Sequence, residues 1–493
     1  MSNDRRTWRA MVTVAGLALL ASACGLTSGS VHNLEAGGGA GGGGGGGLSG
    51  GAAGGGASGG GAGGQIGATG AGGSLGGGGV SGGGFGGVSG GASGGAVSGA
   101  GGSTSSGGPV AAPSGGCGTC ERIGIDTANK IIHIGLHAPQ TGAAPVPLQA
   151  FQTGSKLFWE NHTVLGGYRV VVDFMDDQYN PDVARRVCEQ LSRQDFLVIG
   201  GAGTDQIQAC ASDPVLGSTH TPYLSDGVTT NGLTGLFNYF AISQTYAAQT
   251  PEVYTNTVNL YPTESKGKWA IITESTPNFD DVTAAMANVL RQHHVSFVTI
   301  RTSKYGGQQD AANAVTQARQ AGATAAFLDI DPNFWIDMIQ AAAQQLYTPA
   351  WVGPGVTNGE DLVATAVCGE QPNVKASFLS PFFGLDRQPP GFTSQNNPAP
   401  DPEPQSRDLE MDIYGSSEIV YYALQSVGSI DKLTRDNFIS AMPHLTASYG
   451  PQLDVYPTVN FNGGHFGSTG AWAVKLDCSK QEYTTVGNTF LTS

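Results

Sequence analysis

From residue 131 onward, short apolar runs alternate with longer stretches in which apolar positions recur every three to four residues. These are the spacings of a buried strand and of a helix with one buried face. IIHIGLHAP (131–139) reads as a strand stopped by proline, PLQAFQTGSKLFWEN (147–161) as a helix and YRVVVDFMDD (168–177) as a second strand. PDVARRVCEQLSRQ (181–194) reads as a helix with proline in its first turn, where the missing N–H would have no helical partner anyway. FLVIGGAGTD (196–205) is a third strand running into glycines, QIQACASDPVLG opens a helix, and TPYLSDGVTT (221–230) is a fourth strand. The alternation then restarts. KWAIITES (268–275), VSFVTIRTS (295–303) and TAAFLDID (324–331) are strands, interleaved with the helices DDVTAAMANVLRQHH, QDAANAVTQARQAG and FWIDMIQAAAQQL and leading to PAWVGPG (349–355). Strands alternating with helices build parallel sheets covered on both faces, so the pattern predicts an α/β protein. Two such blocks predict two Rossmann-like lobes with a cleft between them. Further on, SSEIVYYALQSVGSI (416–430) and TRDNFISAMPHL (434–445) predict helices, and VNFNGGHFGSTGAWAVKLD (459–477) predicts closing strands around a glycine turn. Residues 389–404, with six prolines and no periodicity, predict a surface loop.

Composition changes the picture at the start of the chain. Of 79 glycines in 493 residues, 44 fall within 37–116, a stretch with no charged side chain. It lacks the G-X-Y period of collagen and the apolar content to offset ordering entropy, so residues 24–116 read as a disordered tether. As a Gly-rich coil, 80 residues would span roughly 50 Å r.m.s.. Ahead of it, MSNDRRTWRAMVTVAGLALLASAC has a basic start, an apolar run and small residues before Cys24, which predicts a signal peptide over 1–23. ASAC resembles a lipobox, which would make Cys24 the lipidated first residue of the mature chain. Ala21-Ser22-Ala23 also fits an ordinary cleavage site. Export predicts an oxidising compartment and disulfides among Cys117, Cys120, Cys188, Cys210, Cys368 and Cys478. The folded part, from about Cys117, exceeds the ~250–300 residues at which a single core stops growing. A formal net charge of −15 makes nucleic acid and anionic membrane surfaces poor partners.

The order and spacing of several strings resemble the leucine/isoleucine/valine-binding protein family of solute-binding proteins, which have the type I periplasmic binding fold. The strings are IGLHAPQTG, DFMDDQYNP, VIGGAGTD, YLSDGVTTNGLT, NYFAISQT, QQDAANAVTQARQAGATAAFL and WVGPGVTN, and the likeness spans roughly 130–480. It implies two lobes joined by three hinge crossings, near 243–250, 376–382 and 446–452. Lobe 1 would hold 117–246 with 380–448, and lobe 2 would hold 247–379 with 449–493. It also implies ligand contacts. Thr204 and Thr229, with the backbone at Gly227, would hold a carboxylate, at strand ends where helix N-termini offer free N–H groups; the competing reading is that both threonines cap helices. Phe279 would be the aromatic wall of the second lobe. The family's acidic partner for an ammonium is replaced by Gly355, and Asp329 or Asp331 would take that role unless they cap the next helix. Phe334 and Trp335 would be either cleft wall or core. Along this fold, the proximity of the cysteines suggests Cys188–Cys210, Cys368–Cys478 and Cys117–Cys120.

Other chemistry is not supported. GASGG and GVSGG match G-x-S-x-G only inside the glycine tract, with no strand before or helix after. No phosphate-loop motif occurs. CGTC has no second ligand pair nearby, and His133 and His137 read as structural. The expectation is therefore no enzyme, no cofactor and no metal. The chain would be a monomeric, exported binding protein on the outer face of the cell membrane or in the periplasm. Its partners would be a small polar ligand, an amino acid or related carboxylate, and an ABC-type permease, with membrane contact only through a lipid anchor. The alternative is a receptor-type sensor on the same fold that signals to a membrane partner.

Overall fold

The alternation of strand and helix folds into two mainly parallel sheets in the computed structural model, which describes residues 118–355, 361–387 and 407–492. The expected signal peptide (1–23), Cys24, the tether (24–116), Cys117 and the proline-rich loop (389–404) lie outside the described residues.

In the first lobe, β1 (Ile125–Asp126) runs antiparallel beside the start of β2 (Ile131–Ala138). Strand β2 lies between β3 (Arg169–Asp176) and β4 (Leu197–Gly200), and β5 (Tyr223–Ser225) and β6 (Tyr239–Ala241) continue the parallel sheet beyond β4. Helices α1 (Leu148–Trp159), α2 (Pro181–Gln194), α3 (Thr204–Ala211) and α4 (Pro214–Ser218) connect these strands. Helix α2 shows why the local pattern works. The Asn180 side chain accepts the N–H groups of Asp182 and Val183, Pro181 occupies the first turn, and Ala184, Val187, Cys188 and Leu191 form the buried face.

Helix α5 (Tyr246–Leu260) opens the second lobe, followed by β7 (Lys268–Glu274), α6 (Asp280–Gln292), β8 (Phe297–Thr302), α7 (Gln308–Gln320), β9 (Ala323–Asp329), α8 (Pro332–Gln344), β10 (Ala350–Gly353), α9 (Asp361–Glu370) and β11 (Lys375–Ser380). The chain then returns to the first lobe. Helix α10 (Arg407–Ser426) brings Tyr414 and Tyr421 edge-on against Phe158 of α1. Helix α11 (Arg435–Ala441) carries Arg435, whose buried guanidinium donates to the carbonyls of Ser192, Asp195, Phe196 and Thr219. Strands β12 (Thr446–Ala447) and β13 (Val459–Asn460) form a small antiparallel pair, and β14 (Trp472–Asp477) and β15 (Glu482–Thr485) complete the second sheet in the order β15-β14-β11-β10-β9-β7-β8.

One expectation is refined and one corrected. The stretch 459–477 does turn back at its glycines, with an antiparallel bridge between Val459 and Ser468, but its two named strands do not pair with each other. Strand β13 pairs with β12, whereas β14 pairs with β11 and β15, because the glycine-rich segment between them carries the chain from one lobe to the other. Residues 449–460, expected in lobe 2, belong with lobe 1, because Leu453, Val455, Tyr456 and Val459 are buried in its core with α1 and α10. The third passage therefore runs through 461–471 rather than 446–452. The second begins only after β11 ends at Ser380.

The bonds Cys188–Cys210, tying α2 to α3, and Cys368–Cys478, tying α9 to the end of β14, form as expected. A continuous apolar cluster runs from the α2–α3 face of the first sheet through Val228 and Tyr246 to Trp269, Phe279 and Met286 of the second lobe.

Candidate functional site

The carboxyl ends of parallel strands from both sheets converge on one cleft, the place where such sheets leave side chains and helix N-termini free for a ligand. Pro139 follows β2, Gly200–Thr204 join β4 to α3, Asp226 follows β5, Glu274 ends β7, and Asp329–Pro332 join β9 to α8. The cleft has a cavity volume of about 50 Å³ and is partly open at its mouth. Its apolar walls are Val146, Ile207, Val228 and Phe279, with Tyr179 and Tyr246 between them. Tyr179 sits at φ +54 directly after Gln178 at φ +57, left-handed conformations that non-glycine residues rarely adopt and that aim the ring across the lobe boundary.

The charge balance of the cleft is one-sided. Four carboxyl groups line it, Asp226, Glu274, Asp329 and Asp331, and among the described residues no lysine, arginine or histidine does. Burial pushes Glu274 up to about 8; the charge of Asp331 adds to the rise and the Lys304 ammonium opposes it. Asp329 stands well above the usual carboxylate range through burial, with Glu274 and Asp281 adding to it. Burial raises Asp331 only to about 6, because its carboxylate also accepts the Phe334 N–H at the start of α8. Asp226 is likewise raised to about 6 by burial, opposed by the hydroxyls of Tyr456 and Ser243. Behind the cleft wall, the Tyr456 hydroxyl lies 2.8 Å from Asp226 Oδ1 and 2.5 Å from Asp412 Oδ1. One phenol proton cannot serve both oxygens at once, and burial pushes Asp412 well above its usual range.

Hydrogen bonds close the two lobes over this space. Asp205 of the first lobe accepts from Lys304 Nζ at 2.6 Å, Asn278 Nδ2 at 2.6 Å and Thr276 Oγ1 at 3.1 Å of the second. The Lys304 ammonium also sits 4.7 Å from the centre of the Tyr179 ring. In the opposite direction, Asp281 Oδ2 accepts from Thr229 Oγ1 at 3.0 Å, Thr230 N at 2.7 Å and Thr230 Oγ1 at 2.9 Å. Asn231 Nδ2 donates to Asn278 Oδ1 at 2.9 Å, and Asn333 Nδ2 to the Ala143 carbonyl at 2.8 Å. These bonds join the two lobes on both sides of the cleft.

A family model for periplasmic binding proteins matches residues 131–481. The chain belongs to this family. Its members are solute-binding proteins rather than enzymes. Solved structures with the same fold include a fatty acid ABC transporter substrate-binding protein from Thermomonospora curvata (TM-score 0.63, 16% identity, covering 76% of this chain and 95% of that one). A branched chain amino acid ABC transporter protein from Thermus thermophilus with bound valine is similar (0.60, 13%, 74% and 97%). So is a solute binding protein from Rhodopseudomonas palustris BisB5 in complex with 3,4-dihydroxybenzoic acid (0.58, 15%, 74% and 98%). None of the curated protein sequences compared with the chain matches it. Among the described residues no helix is long and apolar enough to cross a membrane.

The residues singled out from sequence divide into two groups in this periplasmic binding protein. Thr204, Phe279, Asp329 and Asp331 line the cleft. Gly227 and Thr229 do not: the Gly227 N–H donates to Ser243 Oγ at 2.8 Å, and the Thr229 hydroxyl is spent on Asp281. Asp331 caps α8 as well as facing the cleft. Phe334 and Trp335 are second-lobe core. Gly355, where the family has an acid, adopts φ +72 and packs against the Tyr246 ring, so a side chain there would collide with it. His133 and His137 bond through Nδ1 to Asp173 at 3.0 Å and Asp177 at 2.8 Å, away from the cleft. Sequence reasoning missed Glu274, Asp226 and Tyr179. For Glu274 a signal existed: an acid closing an otherwise apolar parallel strand, at the end where ligands bind.

Proposed function

We propose that the protein is the exported solute-binding component of an ABC-type transporter, anchored by lipid at Cys24. It would close its lobes on a small organic ligand and deliver that ligand to a membrane permease. The observation that carries this reading is the cleft itself, built from strand ends of both sheets and bridged by Asp205 and Asp281, so that a bound molecule would favour the closed state through contacts to both lobes. The structural neighbours named above, described as ABC transporter or solute-binding proteins, support it. An amino acid or related carboxylate fits this reading in one way. Its carboxylate would rest on the first N–H groups of α3 beside Thr204, since Gly227 and Thr229 are engaged elsewhere, and its ammonium would meet Glu274, Asp329 or Asp331.

The test is a thermal-shift and calorimetric screen of the full chain against amino acids, amines and small organic acids, with small-angle scattering of any hit. Binding accompanied by compaction or retention of the closed form is expected. A complete absence of binding across the panel refutes the reading.

A further inference from the structure

If the cleft captures a solute, its residues restrict what that solute can be. Glu274 and Asp329 are 2% and 3% exposed, and both Glu274 oxygens and Asp329 Oδ2 are buried with no hydrogen-bond partner. They occupy the ends of neighbouring strands β7 and β9, which pair in register up to Thr273 and Asp329. An ionised carboxyl in such a place needs a positive partner, because its desolvation is otherwise uncompensated. Among the described residues no basic side chain lines the cleft, and the Lys304 ammonium whose charge reaches Glu274 is paired with Asp205 at 2.6 Å. A carboxylate on the ligand would enter a site already lined by four carboxyls, and with Gly227 and Thr229 occupied by Ser243 and Asp281 it would have only the first N–H groups of α3 to hold it.

We infer that the ligand is a small organic cation, an amine or guanidinium compound without a carboxylate, held by Glu274 and Asp329 with its apolar body against Val146, Ile207, Val228 and Phe279. The rings of Tyr246 and Phe279 in the lining are groups to which a cation is drawn, while the Lys304 ammonium already lies over Tyr179. The inference rests on the solute-binding reading above. It also carries a proton balance. Glu274 is faced by Asp331, Asp205 and Lys304, and Asp329 by Glu274 and Asp281. Burial raises both carboxyls, so a bound cation that ionises one of them would release its proton to solvent.

The test uses the full chain with phenethylamine, agmatine and putrescine in one arm and 4-hydroxybenzoate, valine and octanoate in the other, read by thermal shift and titration calorimetry. At least one amine should bind. Its affinity should rise about tenfold between pH 6 and 7, as one displaced proton requires, and Glu274→Gln should weaken it at least tenfold. Asp329→Asn should do the same, and ligand-free unfolding midpoints check that both variants fold. Binding confined to the carboxylate arm overturns the cationic ligand and leaves solute capture standing. Amine binding indifferent to both substitutions overturns the assigned site. Silence in both arms overturns the cation inference and solute capture together.

Discussion

Thr229 looked like a ligand residue and bonds instead to the opposite lobe, a distinction that Asp281→Ala can measure. The substitution removes the acceptor of three interlobe hydrogen bonds, from Thr229 Oγ1, Thr230 N and Thr230 Oγ1. Bonds to a charged acceptor contribute about 1.5–3 kcal/mol each when buried. Here the carboxylate is only half-buried, and all four groups regain water when the lobes part, so the sum must be discounted. A loss of about 2–3 kcal/mol for the whole cluster is reasonable, which shifts the closed-to-open equilibrium roughly 30- to 140-fold toward open. Pulsed electron paramagnetic resonance between labels at the exposed Gln190 on α2 and Asn288 on α6 should show a longer, broader interlobe distance in the variant. The decisive comparison is a double-mutant cycle. Thr229→Val alone should loosen closure by about 1 kcal/mol, and in the Asp281→Ala background it should loosen closure no further, because its bond across the lobes is already gone and the Asn231 N–H that it also accepts lies in its own loop. Additive effects, or a distance distribution unchanged by Asp281→Ala, would refute the latch and restore Thr229 as a candidate ligand contact.

Three further outcomes follow from the packing. Replacing Cys368 and Cys478 by alanine, which frees a loop of 110 residues, should cost about 5 kcal/mol, against about 3 kcal/mol for Cys188 and Cys210 with 22, as read from urea midpoints. The reverse order would contradict the loop-entropy argument. Arg435→Met takes the donor from three buried carbonyls and the half-buried one of Thr219, and should destabilise by more than about 4 kcal/mol. Arg435→Lys should recover little, since an ammonium cannot span the same fork. Finally, burial raises Glu418 to about 9 and Glu274 and Asp195 to about 8, so the folded state binds more protons than the unfolded chain, whose carboxyls titrate near 4. Stability should therefore fall as pH rises from about 5 to 9; a denaturant midpoint that is flat or rising over that range would show these acids to be ionised at little cost.

What could be read in advance depended on how local the signal was. Helix α2 was legible from end to end because its cap, its proline and its apolar spacing all lie within 15 residues of one another. The strand ends were legible for the same reason, and with them the position of the cleft, since in a parallel sheet the carboxyl ends share one edge. Pairing across long separations was not. The glycines of 459–477 do turn the chain, bringing Val459 against Ser468, yet β14 finds its partner in β11, about a hundred residues earlier, and no local pattern carries that information. Thr229 failed in the same way. A hydroxyl just after a strand end faces the cleft edge in either state, and whether it meets a ligand or the other lobe is decided by Asp281, 52 residues on. Glu274 is the instructive contrast. An acid at the end of a buried strand that caps no helix stands ready for something positive, so its chemistry could be read from the strand alone, and the closed cleft supplies what the strand could not, namely that among the described residues no basic side chain lines it.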